Sequence, residues 1–109
     1  MYTVIKRIEI AGSHKLTLPY ESKCSNLHGH NWIIKIVCQS EELTDYGMVV
    51  DFTKIKEMVG KLDHQNLNDV LLFNPTAENI AKYLCDNIPH CVKVSVQESE
   101  GNVAIYERD

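Results

Sequence analysis

The segment Asn31 to Cys38, NWIIKIVC, puts Trp32, Ile34, Ile36 and Cys38 on one side of an extended chain and Ile33 and Val37 on the other, flanking Lys35. Alternation with a period of two marks a strand, and apolar residues on both sides require both faces of that strand to be at least partly covered. Such a strand belongs inside a sheet. Tyr2 to Ile10 carries Tyr2, Val4, Ile8 and Ile10 with the same period, interrupted at Lys6, and reads as a second strand. After Asp51 the spacing changes to threes and fours through Phe52, Ile55, Val59 and Leu62, the mark of an amphipathic helix with Asp51 as its N-cap. A further helix opens at NPTAEN, where Thr76 caps, Glu78 sits near the positive end of the dipole, and Ile80, Ala81, Leu84 and Ile88 form the buried stripe. The period then returns to two through Val92, Val94 and Val96, and the segment NVAIYE follows after a short hairpin at SEG. The expected order is strand, strand, helix, helix, strand, strand.

These elements predict an α+β fold with an antiparallel four-stranded sheet and two helices on one face, as a single domain over residues 1–109. The other face of the sheet needs a cover. In a chain of this length the cover expected is another copy, so a homo-oligomer joining sheets edge to edge or face to face is predicted. No apolar run approaches the roughly 20 residues of a membrane span. The amino terminus MYTVIKRIEI lacks the pattern of a secretion signal, which sets the expectation of a cytoplasmic protein. A net charge of -4 argues against a nucleic-acid partner, which normally needs a basic face.

The chemistry concentrates in CSNLHGHNW, Cys24 to Trp32. His28 and His30, two apart at the start of a strand, point to the same side, and Gly29 between them carries no side chain to obstruct a ligand. That is a chelating geometry, and zinc in a catalytic site usually takes three protein ligands. His14, in AGSHKL, is the candidate third, because a hairpin between the first two strands brings the end of one to the start of the other. The alternative is a pair of solvated or packed histidines. Cys24 reads as a fourth ligand, a buried small hydrophobe or a reactive thiolate favoured by a nearby cation. Cys38, Cys85 and Cys91 read as core or surface cysteines, and His90 as structural. In LDHQNLND, Asp63 and His64 form either a proton-shuttling pair or a plain turn. Counting by twos from Val92 reaches Glu98, which places a carboxylate on the valine face. There it accepts two hydrogen bonds from an N–C–N donor edge such as that of a 2-amino-4-oxo pyrimidine, unless the strand ends at Gln97.

Taken together, AGSHKL, CSNLHGHNW, GMVVDFTKIK, LDHQNLND, NPTAENIA and VSVQES resemble, in order and spacing, the 6-pyruvoyltetrahydropterin synthase family. The resemblance implies the tunnelling fold, in which subunits join their sheets into a barrel, commonly as trimers that pair into hexamers with interfacial active sites. It implies one zinc per subunit on His14, His28 and His30, Cys24 as the catalytic thiol, and Asp63 and His64 as the rest of the proton-transfer set. Glu98 corresponds to the pterin anchor, Thr76 and Glu78 to further pterin contacts, and Lys15 and Lys23 to candidate triphosphate contacts. The implied substrate is 7,8-dihydroneopterin triphosphate: its side-chain hydroxyls bind the metal, the cysteine takes a neighbouring proton, and the ring is reduced as the side chain is oxidised, without a nicotinamide. Only three residues separate Cys24 from His28, a short spacing that resembles the bacterial, carboxylate-forming branch on the route to 7-deazaguanine bases. A folate-bypass branch places a glutamate where the cysteine acts, and Glu21 lies three residues before Cys24.

Overall fold

A computed structural model describes all 109 residues. In chain order the elements are β1 (Tyr2–His14), β2 (His28–Ser40), α1 (Phe52–Gly60), β3 (Gln65–Asn66), α2 (Leu67–Val70), α3 (Ala77–Asn87), β4 (Cys91–Ser99) and β5 (Asn102–Glu107), with one 3-10 turn at Lys23–Ser25. The sheet order is β3-β1-β2-β4-β5. Neighbouring long strands are antiparallel, and β3 lies parallel to β1 through Gly12↔Gln65 and Ser13↔Asn66. The strand, strand, helix, helix, strand, strand order is as expected, with β3 and α2 added in the segment read as a polar loop. Two residues are too few for a period to be seen in sequence, and β3 exists because the edge of β1 offers it hydrogen bonds.

Both early strands are longer than expected. β1 runs four residues past Ile10 and β2 begins three before Asn31, because the two pair continuously from Tyr2↔Ser40 to His14↔His28 and the ladder carries polar residues along. β2 is the central strand. Its inner face places Ile34 and Ile36 against Val96 and Val94 of β4, and all four are fully buried beneath α1 and α3. Removing each such side chain from water contributes roughly 1.5–3 kcal/mol. α3 buries the expected stripe of Ile80, Ala81 and Leu84, with Ile88 just past its end. The caps also form as expected: the Asp51 carboxylate accepts from Thr53 N at 2.8 Å and the Thr76 hydroxyl from Asn79 N at 3.1 Å. Gly101, with φ of 82°, makes the turn between β4 and β5, where a side chain would be strained.

Phe52 departs from expectation. It starts α1 on the apolar side, yet it stays 48% exposed while Ile55 and Val59 are fully buried. The first turn of α1 stands at the margin of the sheet, and the Phe52 ring instead lies 6.0 Å from the Lys6 ammonium.

The outer face of the sheet has no helix over it. It carries Ile5 and Ile105, each 60% exposed, and the half-buried Ile33 and Val37. No helix is long and apolar enough to cross a membrane.

Candidate metal and proton-transfer site

The β1–β2 ladder builds the site. His14 is opposite His28, and Gly12 opposite His30, so all three imidazoles emerge on the inner face at one end of the sheet. On the other side of β2, Val94 and Val96 point the same way, and the next residue of that face is Glu98, at a register shift between Gln97 and Ser99. Its carboxylate Oε1 reaches to 3.1 Å from His30 Nε2. His14, His28, His30 and Glu98 thus each offer a donor atom, all within 4.8 Å of one another. Cys24 is not among these donors; the fourth donor atom of the group comes from the Glu98 carboxylate.

The orientation of the rings decides what the cluster can do. His14 Nδ1 lies 2.7 Å from the Pro75 carbonyl, and His28 Nδ1 lies 2.6 Å from the Asn26 carbonyl. A carbonyl only accepts, so each Nδ1 carries the proton and each Nε2 is left with a lone pair. His14 Nε2 and His30 Nε2 are buried without a hydrogen-bond partner. For His30 the 3.1 Å approach of Glu98 is an ion-pair distance with the wrong direction for a hydrogen bond. Buried unpaired imidazole nitrogens are costly unless something binds them, and carbonyl-oriented histidines are the usual outer support of a metal ligand set. Three imidazoles and a carboxylate form a group able to hold a metal ion.

Trp32 floors the cluster, its ring edge-on to His14 and His30 at centroid distances of 4.9 and 5.4 Å, with Nε1 donating to the Gly12 carbonyl at 3.0 Å. A Cβ at Gly12 would stand 3.3 Å from that indole nitrogen, so glycine is what lets the strand and the ring meet. Burial lowers the pKa of both His14 and His30, partly opposed for His14 by its Pro75 bond and for both by the Glu98 charge.

Asp63 and His64 come to this site through β1. Ala11 N donates to the Asp63 carboxylate at 2.9 Å and His64 N donates to the Ala11 carbonyl at 2.7 Å, so the pair is pinned beside Gly12. His64 has φ of 58°, and its Nδ1 is 3.7 Å from Asp63 Oδ1, close but not hydrogen-bonded. The exposed His64 ring and His30 line one open cleft of about 470 Å³ with Gly12, Gly29, Asn31 and Asn66.

Cys24 is a half-buried free thiol in the 3-10 turn, and its carbonyl accepts from Leu16 N at 2.8 Å. The chain on either side of Leu16 is held by two asparagines. Asn68 exchanges two hydrogen bonds with the Lys15 backbone (2.8 and 3.0 Å), and Asn74 does the same with Thr17 (2.9 and 3.1 Å). Thr76 sits next to Pro75, its hydroxyl engaged as a cap, while Glu78, Lys15 and Lys23 are exposed and outside the donor group. The two asparagines and the Pro75 and Asn26 carbonyls were not foreseen; backbone acceptors leave no mark in a sequence, and asparagines in a loop look like any turn.

Comparison with known proteins gives the chain's family and fold relatives. The family model described as 6-pyruvoyl tetrahydropterin synthase matches residues 3–109. The chain is 32% identical to 6-carboxy-5,6,7,8-tetrahydropterin synthase of Bacillus subtilis over 93% of its own length and 82% of the relative's. It is 31% identical to human 6-pyruvoyl tetrahydrobiopterin synthase, over 95% and 90%. The solved structure of Caenorhabditis elegans 6-pyruvoyl tetrahydropterin synthase superposes with a TM-score of 0.76 at 26% identity, covering 99% of this chain and 96% of that one.

The lowered histidine pKa values carry a stability consequence for the metal-free protein. Both groups bind protons more readily unfolded, where the pKa is about 6.5, than folded, so stability is fully present above that value and falls as pH drops below it. Urea denaturation of the metal-free protein at pH 7.5 and 5.5 is expected to show a lower midpoint at pH 5.5, and His14→Gln to flatten that dependence.

Proposed function

The chain belongs to the 6-pyruvoyl tetrahydropterin synthase family, and from that footing we propose that it is a zinc-dependent lyase converting 7,8-dihydroneopterin triphosphate to 6-carboxy-5,6,7,8-tetrahydropterin. Acetaldehyde and triphosphate are the other products, and the route served is that to 7-deazaguanine bases. The observation that carries this reading is the convergence of His14, His28, His30 and Glu98 around buried, unpaired imidazole nitrogens. Beside them stand the pinned Asp63 and His64.

His14, His28 and His30 hold the ion, which when bound supplies Lewis acidity toward the substrate's side-chain hydroxyls. Cys24, as thiolate, removes the proton from the neighbouring side-chain carbon. His64, exposed in the cleft and beside the Asp63 carboxylate, passes protons between side chain and ring. Glu98 anchors the pterin, its carboxylate accepting from the amino group and ring N–H. Thr76, Glu78, Lys15 and Lys23 are assigned to the pterin and triphosphate ends on the family pattern alone. Identity does not choose the branch, since the two named relatives stand at 32% and 31%. The short Cys24-to-His28 spacing supports the carboxylate-forming one. The assembly proposed is a homo-oligomer, a trimer or a pair of trimers. β5 and most of β1 present free edges, and the uncovered sheet face bears exposed Ile5, Val103 and Ile105.

Incubating the zinc-loaded protein with 7,8-dihydroneopterin triphosphate should release acetaldehyde and triphosphate and form a carboxypterin. Absence of turnover would sink the enzyme reading, and triphosphate with a pyruvoyl product would move the chain to the other branch. Cys24→Ala should retain zinc and lose about 10²- to 10⁴-fold in kcat, the range for a proton-transfer group; zinc lost with the thiol would make Cys24 a ligand. Glu98→Gln should raise KM with zinc content unchanged, whereas a fall in zinc affinity would make Glu98 a metal donor first.

A further inference from the structure

Three thiols, none of them used above, gather at the opposite end of β2 and β4 from the histidines. Eight residues of strand, about 26 Å, separate His30 from Cys38. Cys38 and Cys91 are direct partners across β2 and β4, and both are buried. Gln39 N donates to the His90 carbonyl at 2.9 Å. That bond flanks the pair on one side, and on the other the register shifts between Val37 and Cys38, with Val92 as the extra residue of β4; Cα atoms of partners across antiparallel strands stand about 4.5–5.5 Å apart. A disulfide needs Cα atoms roughly 4.4–6.8 Å apart. Cys85, on α3, stands apart from the strand pair: its Sγ donates to the Cys91 carbonyl at 3.5 Å, as the Cys91 Sγ does to the Lys93 carbonyl at 3.6 Å. Arg108 Nη2 donates to the Cys85 carbonyl at 2.9 Å and to Asp86 at 3.1 Å, which holds that helix end in place. A crevice of about 380 Å³, lined by Gln39, Cys85, His90, Cys91, Val92 and Arg108, reaches Cys91 from solvent, with the fully buried Cys38 behind it.

We propose that Cys38 and Cys91 are a redox modification site, a dithiol that a low-molecular-weight disulfide converts to a cross-strand disulfide while Cys85 remains a thiol. One thiolate of the pair attacks a sulfur of the reagent, whose S–S bond breaks and releases one reagent thiol. The second cysteine then displaces the other. The protein loses two electrons and two protons, and the reagent gains both as two thiols. The neighbouring Cys91 thiol holds Cys38 below its ordinary value, while Cys91 itself is raised by that same neighbour and Cys85 by burial. The bond would staple the two strands that carry His28, His30 and Glu98.

The folded, zinc-loaded protein is exposed to hydroxyethyl disulfide, free thiols are alkylated, and peptides are mapped by mass spectrometry. A linked peptide containing Cys38 and Cys91, 2 Da below the dithiol mass, is expected, with Cys85 alkylated after unfolding. The oxidised form should unfold at least about 5 °C higher and revert with dithiothreitol. Cys85→Ser should keep the link and Cys91→Ala should abolish it. Alkylation of both Cys38 and Cys91 in the oxidised sample, or a link from either to Cys85, overturns the proposal.

Discussion

Everything chemical in this molecule depends on the register of the β1–β2 hairpin. Thirteen consecutive residue pairs, from Tyr2↔Ser40 to His14↔His28, hold the two strands, and the last of them bring three imidazoles together. A slip of one residue would turn every side chain of one strand to the other face, moving its histidines away from those of its partner. The register is held by the apolar middle of the ladder, where Ile8 meets Ile34 and Ile10 meets Trp32 against the helices. Core packing at the centre of the strands therefore sets ligand geometry at their ends.

The site is finished by elements that approach from outside the hairpin. α3 buries Ile80, Ala81 and Leu84 against the sheet, and this docking delivers its N-terminal approach, with the Pro75 carbonyl, to His14 Nδ1. The segment after α1 lies along β1 as β3 and brings Asp63 and His64 to Ala11. Asn68 and Asn74 close two-point amide pairs on Lys15 and Thr17, which steadies the segment after β1 to which Cys24 is tied through Leu16. The contacts of Pro75, Asp63, His64, Asn68 and Asn74 each join residues more than 50 positions apart in sequence, so the site forms only when the whole domain has folded.

Glu98 shows how fold and function constrain each other. A carboxylate at the end of a valine face costs desolvation unless something binds it, and the structure sets it at a bulge that frees it from regular pairing, 3.1 Å from His30 Nε2 and without a hydrogen bond to it. His64 has a left-handed backbone for a comparable reason: the turn that sets its N–H on Ala11 also swings its ring into the cleft.

Much of this was readable beforehand. Periodicity alone located the four long strands and two main helices, because burial on one face leaves a repeat of two or of 3.6 in any chain long enough to show it, and the cap residues Asp51 and Thr76 marked where helices begin. The histidine spacing and the two-residue count to Glu98 followed from the same pleat. Phe52 was misplaced because helical spacing reports a face and not how far the sheet beneath extends. β3, α2, the asparagine pairs and the carbonyls behind His14 and His28 were invisible, since backbone groups have no residue type and two-residue pairings have no period. Sequence by itself determined which side chains share a face. Only the tertiary structure decided which faces meet, and so that the Glu98 carboxylate stands with the three histidines while Cys24 lies outside that donor group, because that depends on contacts between segments whose separation in the chain carries no pattern.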